Sequence, residues 1–139
     1  MPCYFYKSMI EFKLMQADYL KERAEKFLKN AEDLFEKEEY DLSAFNLEQA
    51  CQLFLKYYIF LIIGDFPKTH YLKRLMRELG KVYGKEEEIE KLIEENISVV
   101  SNLEDAYIGA RYLPYIFEKK QVENMIVFTE KLLDFLKKL

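Results

Sequence analysis

Ala44-Phe45-Asn46-Leu47-Glu48-Gln49-Ala50-Cys51-Gln52-Leu53-Phe54-Leu55-Lys56 leads into the apolar run Tyr57 to Ile63 and then Gly64. Ala44, Leu47, Cys51, Phe54, Tyr58 and Leu61 recur every three or four positions, the spacing of one stripe along an α-helix. Leu53, Leu55, Ile59 and Ile62 make other faces of the same helix apolar. A helix apolar nearly all round needs cover on most sides, so this segment is expected to be the central helix or to supply part of a subunit interface. Gly64 ends it by adopting a left-handed conformation, and Asp41 is expected to cap its start.

Working outward, Phe12, Met15, Tyr19, Ala24, Phe27, Ala31 and Leu34 recur with Lys and Glu between them, which predicts a long amphipathic helix from about Ser8 to Lys37. Beyond Gly64, Thr69 is placed to cap a third helix that carries Leu72, Leu75, Met76 and Leu79 and ends near Gly84. A fourth starts in the acidic run Glu86-Glu87-Glu88, where negative charge suits a helix N-terminus, and continues through Ile89, Leu92, Ile93, Ile97 and Val100. Pro114 disfavours helix at Leu113, so a break is expected between Arg111 and Glu118. A fifth helix, about Glu118 to Lys137, turns Val122, Met125, Ile126, Thr129, Leu132, Leu133 and Leu136 inward. The expectation is an all-α protein, a single domain over residues 1–139 built as a five-helix antiparallel bundle of the up-and-down, four-helix-bundle type.

Composition agrees with this reading. Half of the 139 residues are hydrophobic and a third are charged, with only 4 Gly and 3 Pro, a balance that favours long helices over strands and tight turns. Cys3 and Cys51 belong to no CxxC or Cys/His spacing, so no metal site or disulfide framework is expected. The N-terminus shows no basic region leading into a long apolar segment, and Tyr57 to Ile63 is too short to cross a bilayer. A cytoplasmic protein without membrane association is expected. The net charge of −4 argues against a generic basic nucleic-acid coat, so any nucleic-acid contact must use a local patch.

The stretch Ala44 to Lys56, followed by Gly64 and Pro67-Lys68-Thr69-His70, resembles the HEPN family, named for its occurrence in higher eukaryotes and prokaryotes and for nucleotide binding. Ala31-Glu32-Asp33-Leu34, Glu39-Tyr40-Asp41 and Ala106-Tyr107-Ile108-Gly109-Ala110-Arg111-Tyr112 fit the same pattern, so the resemblance runs from about Ala24 to Leu133. It implies a helical bundle that dimerises, often encoded beside a minimal nucleotidyltransferase in prokaryotic toxin and antitoxin pairs. Many members are metal-independent ribonucleases whose motif is an Arg followed, after four to six residues, by a His near the dimer interface. Arg111 fits the arginine. The His should fall at Ile116, Phe117 or Glu118, and none of these is histidine. Ile and Phe cannot transfer the proton that cleavage through a 2′-hydroxyl requires, so little or no ribonuclease activity is expected.

The candidate polar residues each have more than one reading. His70, the sole histidine, is a phosphate contact, a proton donor or a hydrogen-bonded structural residue beside Thr69. Arg111 either clamps a phosphate or pairs with Glu104 or Asp105 at the end of its helix. Tyr112 and Tyr107 flank it. Lys73, Arg74, Arg77 and Lys81 gather with Lys68 and His70 as a local phosphate-binding candidate, or are a solvated face. Asn46, Glu48, Gln49, Gln52 and Lys56 form a polar seam on the second helix that reads as a solvent or interface face, and Cys51 reads as a core thiol. No common enzyme signature is present, and no cofactor is expected. The leading expectation is a homodimer, with the second helix in its interface, that binds a nucleotide, RNA or a nucleotidyltransferase partner. The alternatives are a divergent ribonuclease using Arg111 with another acid or base, and a scaffold with no ligand chemistry.

Overall fold

The computed structural model describes residues 3–112 and 117–139, and these form six helices and no strand. They are α1 (Cys3–Glu36), α2 (Tyr40–Ile63), α3 (Leu72–Tyr83), α4 (Glu86–Glu95), α5 (Ile97–Tyr112) and α6 (Lys119–Lys137). The class is as expected, but the count is six rather than five. The stretch expected to run unbroken from Glu86 past Val100 is divided at Asn96. Its side-chain amide donates to the Leu92 carbonyl at 2.8 Å while its backbone N–H turns back to Ile93 at 3.1 Å. An asparagine that satisfies nearby backbone groups locally offers the chain an alternative to continuing the helix. The expected break at Pro114 lies outside the described residues.

α2 is the central helix. It packs on α1, α3, α5 and α6, and Ala44, Leu47, Cys51, Phe54, Leu55 and Ile59 are buried along it. α1 and α2 are antiparallel, joined where Ser43 donates to the Ala31 carbonyl at 2.7 Å and, at the far end, where Lys13 donates to the Gly64 carbonyl at 3.0 Å. Gly64 has φ of 70°, a left-handed value that a side chain would strain, and closes α2 as its sequence position required. α3 and α4 approach closely at Gly80, where an added Cβ would stand 3.1 Å from Ile89. α6 closes the core with Val122, Met125, Phe128, Thr129, Leu132 and Leu136.

Two caps differ from expectation. Asp41 lies inside the first turn of α2, the cap position belongs to Glu39, and the Asp41 carboxylate instead accepts the backbone N–H of Phe117 at 2.7 Å. An acceptor reaching the chain 76 residues away is a tertiary tie, invisible to local pattern. Tyr71, not Thr69, precedes α3, and the Thr69 hydroxyl accepts the Tyr71 N–H at 3.2 Å within the preceding loop. α1 begins at Cys3, before the expected Ser8, and α6 begins at Lys119 with Glu118 as its cap.

Candidate phosphate-contact site on α2 and α5

The last two turns of α5 bring Tyr107, Arg111 and Tyr112 alongside Phe45 of α2. Residues four apart share a helix face, so the Arg111 side chain folds back over Tyr107 and its Nε donates to the Tyr107 carbonyl at 3.1 Å. The guanidinium lies 4.6 Å from the Tyr107 ring centroid, 5.0 Å from that of Tyr112 and 5.6 Å from that of Phe45. Three rings thus hold an exposed cation by their π faces. The alternative reading, a pairing with Glu104 or Asp105, is not seen among the described residues. Glu104 is engaged by Lys73, and Arg111 makes no ion pair among the described residues.

The loop before α3 brings His70 to the same ring. Its imidazole stacks on Tyr107 with centroids 4.3 Å apart and planes 9° apart, and Tyr71 lies against its neighbour at 4.3 Å. His70 and Arg111, separated by 41 positions in the chain, therefore converge on one tyrosine within a single protomer. Tyr112 is 71 % exposed and extends this aromatic surface into solvent.

The basic set on α3 is distributed differently. Lys73 points inward and binds Glu104 at 2.7 Å, fastening α3 to α5. Arg77 pairs with Glu90 of α4 at 2.7 Å, and Lys81 lies 3.8 Å from Glu78. Arg74 is exposed and makes no ion pair among the described residues. The run looked little compensated in sequence because two of its three acids, Glu104 and Glu90, come from other helices.

Behind Arg111, Glu48 and Gln52 of the polar seam of α2 are buried where a solvent or interface face was expected, while Asn46, Gln49 and Lys56 are half-buried. Glu48 is 0 % exposed. Its carboxylate accepts the Gln49 amide at 2.8 Å and the Gln52 amide at 3.0 Å, and Gln52 in turn accepts the Lys56 ammonium at 3.0 Å. Burial pushes the Glu48 carboxyl from 4.5 up to about 7, against the two amides and the positive charges of Lys56 and Arg111, which pull it down. This is the polar residue that sequence reading undervalued. Its only signal was its place between Leu47 and Cys51, next to the main apolar stripe.

Of the positions where a histidine would complete an Arg–His pair, Phe117 is 1 % exposed and part of the core, and Glu118 is the cap of α6. Ile116 lies outside the described residues. Cys51 is a core thiol, 3.4 Å from the Thr129 hydroxyl, and burial pushes it up to about 12. Among the described residues no group of three or more His, Cys, Asp or Glu side chains could hold a metal ion, and no helix is long and apolar enough to cross a membrane.

A family model described as HEPN domain matches residues 17–139. No curated protein and no solved structure matches the chain.

Proposed function

The chain belongs to the HEPN domain family, and on that premise we propose that it is a nucleotide- or RNA-binding module whose principal contact is Arg111. One observation carries the reading: an exposed guanidinium, without a carboxylate partner among the described residues, is held over Phe45, Tyr107 and Tyr112. A guanidinium binds phosphate through parallel hydrogen bonds, and exposed aromatic faces accept stacked bases whatever their sequence. Arg74 adds a second exposed cation, whereas Lys73 serves the fold. In this proposal the module is a cytoplasmic homodimer, and a minimal nucleotidyltransferase, as in toxin and antitoxin pairs, is the class of protein partner. Binding is assigned rather than cleavage, because Phe117 is enclosed in the core and Glu118 caps the start of α6. The test is fluorescence anisotropy with short single-stranded RNAs and with nucleotides. Arg111→Ala should weaken binding by about tenfold and reduce its salt dependence. Unchanged affinity in a folded Arg111→Ala protein sinks the reading.

A second reading rests on the shared contact of His70 and Arg111 with Tyr107. A histidine beside a phosphate-binding arginine supplies the two elements of metal-independent RNA cleavage, a proton carrier and a charge stabiliser. It requires that wild type cleave RNA without metal and that both His70→Ala and Arg111→Ala abolish cleavage with folding intact. Absence of cleavage on structured and single-stranded RNAs leaves the binding module.

A further inference from the structure

Lys56 of α2 and Lys68 of the loop before α3 lie over the same phenyl ring. Their ammonium nitrogens are 5.4 Å and 5.1 Å from the Phe66 centroid, and Phe66 is itself seated against Phe60 with centroids 6.2 Å apart. Neither lysine makes an ion pair among the described residues. The nearest acid in the loop, Asp65, turns its carboxylate to the Phe66 backbone N–H at 2.8 Å. Lys56 is half-buried and its ammonium is fixed by the Gln52 carbonyl oxygen. Its ammonium is held below its ordinary range first by burial and also by the charge of Lys68, with Glu48 opposing. Two neighbouring cations with no ion-paired acid among the described residues are the arrangement that an incoming anion relieves.

The position of this pair relative to Arg111 gives the ligand its size. Phe45 beneath Arg111, then Glu48, Gln49, Gln52 and Lys56, share one side of α2 and are linked through the Glu48 and Gln52 hydrogen bonds. From Phe45 to Lys56 the helix rises roughly 16 Å. That is too far for one phosphate and suits a strand that repeats them.

We infer that Lys56 and Lys68 over Phe66 form a second phosphate-binding point, engaging a single RNA strand whose other end lies on Arg111. This rests on the proposed RNA-binding function and assigns that function a two-point contact along α2. An RNA too short to reach both points should depend on Arg111 alone. A longer strand should depend on all three cations.

The experiment measures anisotropy of labelled single-stranded oligouridylates, a dinucleotide and a dodecanucleotide, across a salt series with wild type, Lys68→Ala, Lys56→Gln and Arg111→Ala. Circular dichroism confirms that each variant folds, and Lys68, being exposed, provides the variant least exposed to a folding objection. Each lysine variant should weaken the dodecanucleotide by about threefold to tenfold. The slope of log affinity against log salt should fall by about 0.7 for each lost phosphate contact, and dinucleotide binding should be unchanged. If Arg111→Ala weakens the dodecanucleotide and neither lysine variant does, the second contact point is wrong and the function stands. If wild type binds neither RNA, the function and this inference fall together. If the lysine variants lose only binding of poly-glutamate, the pair serves an acidic protein and the inference is likewise overturned.

Discussion

Enclosure of α2 by its neighbours takes the Glu48 carboxylate out of water. Residues 44–56 mark it as a polar member of an apolar helix, but whether such a member faces solvent or the interior depends on which faces the other helices cover. Here α2 is enclosed, and Glu48 is held by two amides with no cation within ion-pair distance among the described residues. The carboxyl is raised from 4.5 to about 7, so between these values the folded protein holds a proton that the unfolded chain has released. Stability from this group is therefore complete at pH 4.5 and below, and is lost as pH rises toward and through 7. The loss is on the order of 3 kcal/mol. Glu48→Gln does not titrate, so the difference in unfolding free energy between pH 5 and pH 8, measured by urea denaturation, should shrink in the variant. An equal difference in both proteins would show that Glu48 is ionised throughout. Arg111 was better legible than Glu48, because its motif position singled it out, but its contact with the Phe45 ring joins α5 to a distant part of the chain.

Among elements, helix existence followed from apolar period and boundaries followed less well. The left-handed glycines that stop α2 and α3 were readable because only local geometry is involved. The role of Asp41 was not, because its partner is Phe117, at the entry to α6. A hydrogen bond to a charged acceptor contributes about 2 kcal/mol, and this one ties the first turn of α2 to the segment that leads into α6. Asp41→Ala should lower stability by about that amount, and Asp41→Asn, which keeps an acceptor oxygen, by less. Equal losses would mean that the carboxylate charge, rather than the bond, sets the effect. Gly80 allows α3 and α4 their close approach. Gly80→Leu should lower the melting temperature, since the nearest atoms are the branched stem of Ile89 and the backbone of Glu86 rather than a flexible chain end.

For the whole molecule, the all-α class was plain from composition and period, but the surface left uncovered was not. The expectation of an α2 interface narrows to its last turn, since α1, α3, α5 and α6 enclose the rest. Leu61, Ile62 and Ile63 are exposed there beside Ile10 and Leu14 of α1, while Phe12 and Met15 are 66 % and 70 % exposed farther round the same helix. With neighbours such as Met9 and Tyr19, this is more apolar surface than a small monomer commonly shows, and a second copy is the occupant we assign it. Lys7 and Asp18 carry opposite signs about equally far on either side of residues 12 and 13 and on one flank of α1, so two antiparallel copies centred there would set Lys7 opposite Asp18. Sedimentation at micromolar concentration should show a dimer for wild type and a monomer for Phe12→Glu combined with Met15→Glu. A wild type that sediments as a monomer at every concentration ends this assignment.

The apolar interior is divided into two clusters. One, spanning all six helices, contains Leu47, Leu75, Leu103 and Leu132, and the other consists of Ala17, Leu20 and Phe60, where the first half of α1 meets the end of α2. Breathing of the native state should follow that division. Amides of the first half of α1 should exchange with solvent deuterium through a local opening that breaks only the small cluster. Those in the middle of α2, touched by four helices, should exchange only when the entire chain opens, and so report the global free energy. At concentrations where copies associate, protection in the first half of α1 and in the last turn of α2 should rise while amides in the middle of α2 keep their relative rank, which makes deuterium uptake a readout of self-association confined to that end of the helix pair.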